Sequence, residues 1–128
     1  MRRTGDGEAG VIATQLAVLM PALLLVLMLA VQFGLWAHAS QLARAAADEA
    51  AFTAALPEGT DAAGHQAAHE LLSQAGNLEE VTISIETTAD AVSATVTGRA
   101  PQLTPGMSWS VQASATAAVE RFIPQGQR

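Results

Sequence analysis

The chain has 128 residues, a formal net charge of −6, no cysteine and no lysine. After Arg44 the acids outnumber three scattered arginines, Arg99, Arg121 and Arg128. That pattern excludes a nucleic-acid binder, because phosphate contacts need a basic surface, and it leaves the outer part without disulfide support.

Residues 1–10, MRRTGDGEAG, form a short polar leader. No Asp, Glu, Lys or Arg occurs from Ala9 to Ala43, and the run from Val11 to Trp36 is the apolar heart of that stretch. About 20 residues cross a bilayer core as a helix, so 11–36 is expected to span with some tilt. Arg2 and Arg3 precede the span and acid-rich sequence follows it. The positive-inside rule then predicts a single-pass protein of the cytoplasmic membrane with its N-terminus inside and residues 37–128 outside. Trp36 and His38 mark the expected outer interface.

Two other readings of the segment compete. Ala37-His38-Ala39 is an A-x-A pattern, so a secretory signal could be cut after Ala39. The apolar stretch is longer than a usual signal core, and Asp6 and Glu8 weaken the positive charge before it. Arg2-Arg3 hints at twin-arginine export, but Thr4-Gly5-Asp6 lacks the apolar context of that signal.

The helix is expected to continue past Trp36 through AHASQLARAAADEAAFTAAL and to stop at Leu56-Pro57. Within it Ala39, Ala43, Ala47, Ala51 and Ala55 recur every four residues. On a helix they make one shallow stripe that allows close approach of another backbone, either the chain's own domain or a partner subunit.

PEGTDAAG reads as a linker, followed by a second helix from His65 to Ala75 with Gly76-Asn77 as its stop. Three alternating runs then predict strands. Val81, Ile83 and Ile85 share one face, as do Val92, Ala94 and Val96, and Trp109, Val111, Ala113 and Ala115. Ala89-Asp90 is short enough for a hairpin, and RAPQLTPGM is a longer loop with two prolines. A three-stranded antiparallel sheet with one apolar face needs a cover, which the helices supply. The expected fold class is therefore α+β.

The leader and span together resemble the N-terminus of type IV pilin-like proteins. EAGVIATQLAVLMP is similar to the TadE-like family of tight-adherence pilus components. QFGLWAHASQLARAAADEAA, VTGRAPQLTPG and SVQASATAAVERFIP extend the resemblance over most of the chain. It implies a leader ending at Gly10, a new N-terminus at Val11, and a helix with a polar fifth residue and a proline. Gln15 stands where the family carries Glu, and Pro21 stands at the family's proline, an expected transmembrane kink. It also implies a pilin-like fold: a long transmembrane helix running into a small domain with a second short helix and the three strands. The implied role is a minor pilin or membrane-anchored assembly component of a tight-adherence pilus or related secretion system. The implied partners are the membrane, other pilin-like subunits, pilus platform proteins and a prepilin peptidase. The alternative is an anchored or secreted envelope protein unrelated to pili.

Physical chemistry fits that reading. A proline in a bilayer helix frees one carbonyl, which neighbouring helices or waters must satisfy. A polar residue near the start of the span needs a partner helix or the headgroups. Gln15 can hydrogen-bond but carries no charge.

No enzyme is expected. His65 and His69 lie four residues apart on one helix face beside Glu70, but the spacing is not H-E-x-x-H, no third ligand follows, and cysteine is absent. No phosphate loop appears, and no cofactor or metal is expected. The hydroxyls of the strands alternate with the apolar face and read as its solvent side.

Overall fold

The computed structural model describes residues 4–76 and 78–119. The two arginines of the leader, Arg2 and Arg3, the helix stop at Asn77, and Arg121 and Arg128 lie outside the described residues. Helix α1 is Thr4–Ala55, α2 is Asp61–Ala75, β1 is Glu79–Thr87, β2 is Ala91–Arg99 and β3 is Ser110–Ala118. The chain divides into two compact units, Met1–Gly34 and Leu35–Arg128.

The first unit is helical throughout its described residues. Its side chains face outward almost without exception: Val18 is 68% exposed and Leu23 is 63% exposed. Gln32 is the exception, buried at 2%.

The second unit is an α+β domain. Alanine-rich sequence favours helix because alanine loses no side-chain entropy there. Leu56-Pro57 ends α1, and the turn is closed by Gly59 N–H donating to the Leu56 carbonyl at 2.7 Å. Thr60 then caps α2. Its backbone is extended (φ −129°, ψ 159°) and its Oγ1 accepts from the Ala63 N–H at 3.1 Å. Such a cap contributes about 1 kcal/mol. Gly76, at φ 66°, ends α2 in the left-handed conformation and donates to the Leu72 carbonyl at 3.0 Å.

The second helix thus starts four residues before the His65 expected from sequence. Gly64, the last residue of the expected linker PEGTDAAG, is a helical residue. It is buried against α1, where a Cβ would lie 2.7 Å from the Ala50 carbonyl oxygen. A glycine at that place serves close approach of two elements rather than a turn.

The sheet has the order β1-β2-β3, both pairs antiparallel. Ile83 faces Val96, and Val96 faces Ala113. Val92, Ala94, Val96 and Val111 are buried on the helix side. The other face carries hydroxyl pairs: Ser93 with Thr116 at 3.2 Å and Thr95 with Ser114 at 3.1 Å. That is the alternation of a sheet with one dry and one wet face.

A bulge lies at the start of β1, where the register shifts between Glu79 and Thr82. Glu80 takes φ 51° there, and its Oε2 lies 3.3 Å from Arg99 Nε. Gly98 sits opposite, where a Cβ would lie 2.8 Å from Leu78 Cγ. The small residue on β2 makes room for Leu78 beneath the bulge.

Candidate functional site

Two surfaces can carry function. The first is the exposed apolar part of α1. It is the one helix among the described residues long and apolar enough to cross a membrane. Gly10 and Val11 lie inside the helix and are exposed. Thr14 Oγ1 donates to the Gly10 carbonyl at 2.9 Å, a local bond that satisfies the hydroxyl within its own helix. Gln15 is exposed beside it among Val18 and Leu19. Pro21 lies inside α1 and has no N–H to offer the Ala17 carbonyl four residues back.

The second surface belongs to the domain. The alanine stripe does not line it. Ala39, Ala43 and Ala47 are fully buried, Ala51 is 1% exposed and Ala55 is 7% exposed. Ala39 to Ala51 join Ala46, Ala50, Ala68, Leu72, Ala94, Val96 and Val111 in one core cluster. Ala55 joins Val92 and Ala54 in a second. The shallow face of α1 thus packs on the chain's own sheet, and Gly64 of α2 comes down beside it. Small side chains on both sides bring backbones close, which is what the four-residue spacing permits.

Outside the core, a groove runs along β3. Trp36 begins it. Its Nε1 donates to the Ser110 carbonyl at 3.2 Å, and its ring meets Trp109 edge-on, with centroids 6.4 Å apart and planes at 70°. This edge-to-face geometry suits the ring quadrupoles. The groove, about 400 Å³, continues past Ser40, Gln41 and Arg44 on α1 and Gln112, Ala113 and Ser114 on β3. Sequence reasoning missed it. The sequence marks Trp36 only as an interface residue, and nothing local joins it to Ser110, 74 residues away.

The histidines are not brought to a site. His65 is half-buried, His69 is exposed, and Glu70 Oε1 accepts from Gln66 Nε2 at 3.2 Å. Among the described residues no three His, Cys, Asp or Glu side chains could share a metal ion. Asp61, opening α2, accepts from Thr87 Oγ1 at 2.7 Å and ties that helix to the end of β1.

Set against known families, the segment from Gly10 to Ala51 matches the family described as TadE-like protein. Residues 10–51 are similar to that family. The TadE-like segment contains Gly10, Val11, Gln15 and Pro21 on the exposed apolar helix, and the stripe from Ala39 to Ala51 in the core. It therefore covers both the part of α1 that can enter a membrane and the part that holds the sheet. The match ends at Ala51 and does not reach α2 or the sheet. No curated protein and no solved structure matches the chain significantly.

Proposed function

We propose that this chain is a minor pilin or membrane-anchored assembly component of a tight-adherence pilus or a related secretion system. The single observation that carries the reading is the TadE-like match over 10–51, lying on a helix whose first part is apolar and exposed. An apolar helix surface left exposed among the described residues needs lipid or neighbouring helices. In this reading α1 passes the cytoplasmic membrane once, with Arg2 and Arg3 inside and the acidic α+β domain outside. The partners are other pilin-like subunits and the polytopic platform, with a prepilin peptidase acting between Gly10 and Val11. The role is mechanical and asks for no catalytic group or cofactor.

Gln15 gives the proposal its particular form. After removal of the leader, the Val11 amine would lie one helical turn from Gln15. The Gln15 side chain offers a neutral carbonyl oxygen, and charge-assisted bonds to a neutral acceptor are weaker than those to a carboxylate. Subunit pairing at this point would be weak, as befits a low-copy or initiating subunit.

The alternative, release after Ala39, is disfavoured by packing. Ala37-His38-Ala39 lies inside α1, and the Ala39 side chain belongs to the domain core. A cut there would sever a helix that the sheet packs against and would detach Trp36 from Ser110. Intact-mass measurement on protein purified from native membranes is the test. A start at Val11 is the expected result. A start at Ser40 overturns the proposal, and an uncut chain leaves the anchored assembly role while removing the pilin role.

A further inference from the structure

Among the described residues no further strand covers β1 or β3 at the two edges of the sheet, and the charges of those edges differ. The hydrogen bonds fix which backbone groups face outward. Ala100 N–H donates to the Trp109 carbonyl and Val119 N–H donates to the Asp90 carbonyl, so the odd-numbered residues of β3 bond toward β2. By strand alternation the N–H and C=O of Gln112, Ser114 and Thr116 point to the outer edge. Trp36 Nε1 on the Ser110 carbonyl marks the same side. On β1, Thr88 N–H donates to the Ala91 carbonyl, so its even residues bond toward β2 and Ile83, Ile85 and Thr87 point their backbone outward.

β3 from Ser110 to Ala118 has no charged residue, and the groove along it holds Arg44. The described arginines are Arg44 and Arg99. Arg99 pairs with Glu80, whereas Arg44 has no ion pair among the described residues. β1 carries Glu79, Glu80 and Glu86, all exposed. An edge strand with unpaired backbone groups is a template for another strand.

We propose that β3 of one copy takes β1 of a second copy, extending the sheet from subunit to subunit. Charge decides the pairing. Two β3 edges brought together would offer Arg44 no acid on the facing strand. Two β1 edges would bring the glutamates of both strands together. Only the mixed pairing sets the cation against the acids. Direction agrees as well. β1 and β3 run the same way, because each is antiparallel to β2. Copies of one orientation therefore pair β3 with β1 in parallel. Arg44 lies by the first half of β3, and Glu79 and Glu80 open β1, so a parallel register brings them together. This contact is head-to-tail, so each added copy leaves a free β3 edge at one end and a free β1 edge at the other, and the pairing can propagate. It deepens the assembly reading above and rests on it only for the shared orientation of the copies.

The chain contains no cysteine, so engineered thiols report cleanly. Ser114→Cys is combined in turn with Thr82→Cys, Ser84→Cys and Glu86→Cys in the full-length chain in native membranes, followed by mild oxidation. Within one copy these positions lie two strands apart, roughly 9–10 Å, beyond disulfide reach. The expected result is a ladder of multimers for at least one pair, and a single crosslinked dimer when two single-cysteine variants are mixed. Arg44→Glu should reduce the ladder by about tenfold or more, through like-charge contact with Glu79. Adding Glu79→Arg to it should restore the ladder. Dimers from the Ser114→Cys variant alone would overturn the proposal in favour of a symmetric edge. Absence of crosslinks from all three pairs, or indifference to Arg44→Glu, would overturn it also. If pilus assembly persists in either case, the assembly reading survives and this contact alone is lost.

Discussion

Gly64 of α2 lies so close to Ala50 of α1 that a Cβ on the glycine would sit 2.7 Å from the Ala50 carbonyl oxygen, 2.9 Å from Ile85 Cδ1 and 3.1 Å from Ala54 Cβ. Three elements meet at this residue. In a free helix Gly→Ala is stabilising by about 1 kcal/mol. Here the nearest atom is backbone and cannot swing aside, so the sign reverses. Gly64→Ala should destabilise the domain by about 1–3 kcal/mol, the usual range for overpacking. Urea unfolding of the full chain in detergent, followed by circular dichroism, checks this. A stabilised variant would mean that α2 floats free of α1.

The alanine stripe gives a paired prediction. Ala47 is fully buried, while Ala45 two residues away is exposed. Ala47→Leu should cost about 1–3 kcal/mol or prevent the domain from folding, because the sheet stands directly against it. Ala45→Leu should change stability by less than about 0.5 kcal/mol. Thermal melts of the two variants side by side discriminate a core stripe from a surface seam. Equal tolerance would show that the stripe is available to a partner.

Much of the domain was legible in the residues themselves. Period-two alternation at Val81, Ile83 and Ile85, and again at Val92, Ala94 and Val96, has one physical source: a sheet with a single dry face. Pro57, with Glu58-Gly59 after it, reads as a helix end and is one, whereas Pro21 is carried inside α1. The missed features depend on contacts that no local pattern encodes. Gly64 looks like a linker until Ala50 is known to lie against it. Thr60 could have been found, since a threonine followed by Asp61 just before an alanine-rich run is a cap signal. The bulge at Glu80 answers to Leu78 filling the space above Gly98, a relation across strands. The groove needed Trp36 and Ser110 to be neighbours, which only the finished fold makes them.

The Trp36–Ser110 hydrogen bond is the tie that opens the groove. Trp36→Phe keeps an aromatic ring near Trp109 but removes the indole donor. The expected loss is about 0.5–1.5 kcal/mol, a typical net hydrogen-bond contribution. Near-ultraviolet circular dichroism should also change, because the edge-on ring pair is disturbed. A melt and spectrum identical to the parent would show that the indole bond carries no weight in the fold.

Gln15 tests the apolar helix as an assembly surface. In hydrocarbon a side-chain amide without a partner is disfavoured, and an amide can both donate and accept across two helices. Such interhelical bonds contribute about 0.6–2 kcal/mol. Gln15→Leu should therefore weaken association of the full chain in bilayers by about 3- to 30-fold, using about 1.4 kcal/mol per tenfold. Resonance energy transfer between labelled copies in lipid vesicles measures this. Gln15→Glu separates two sources of the effect. If the chain starts at Val11, a carboxylate gives the free amine a charged acceptor, and association should rise above that of the parent. If the leader is still attached, no amine lies there. The carboxylate then gains nothing, and association should stay level or fall. Unchanged association for both variants would place Gln15 among the headgroups, solvated and without a partner, and would remove it from the assembly surface.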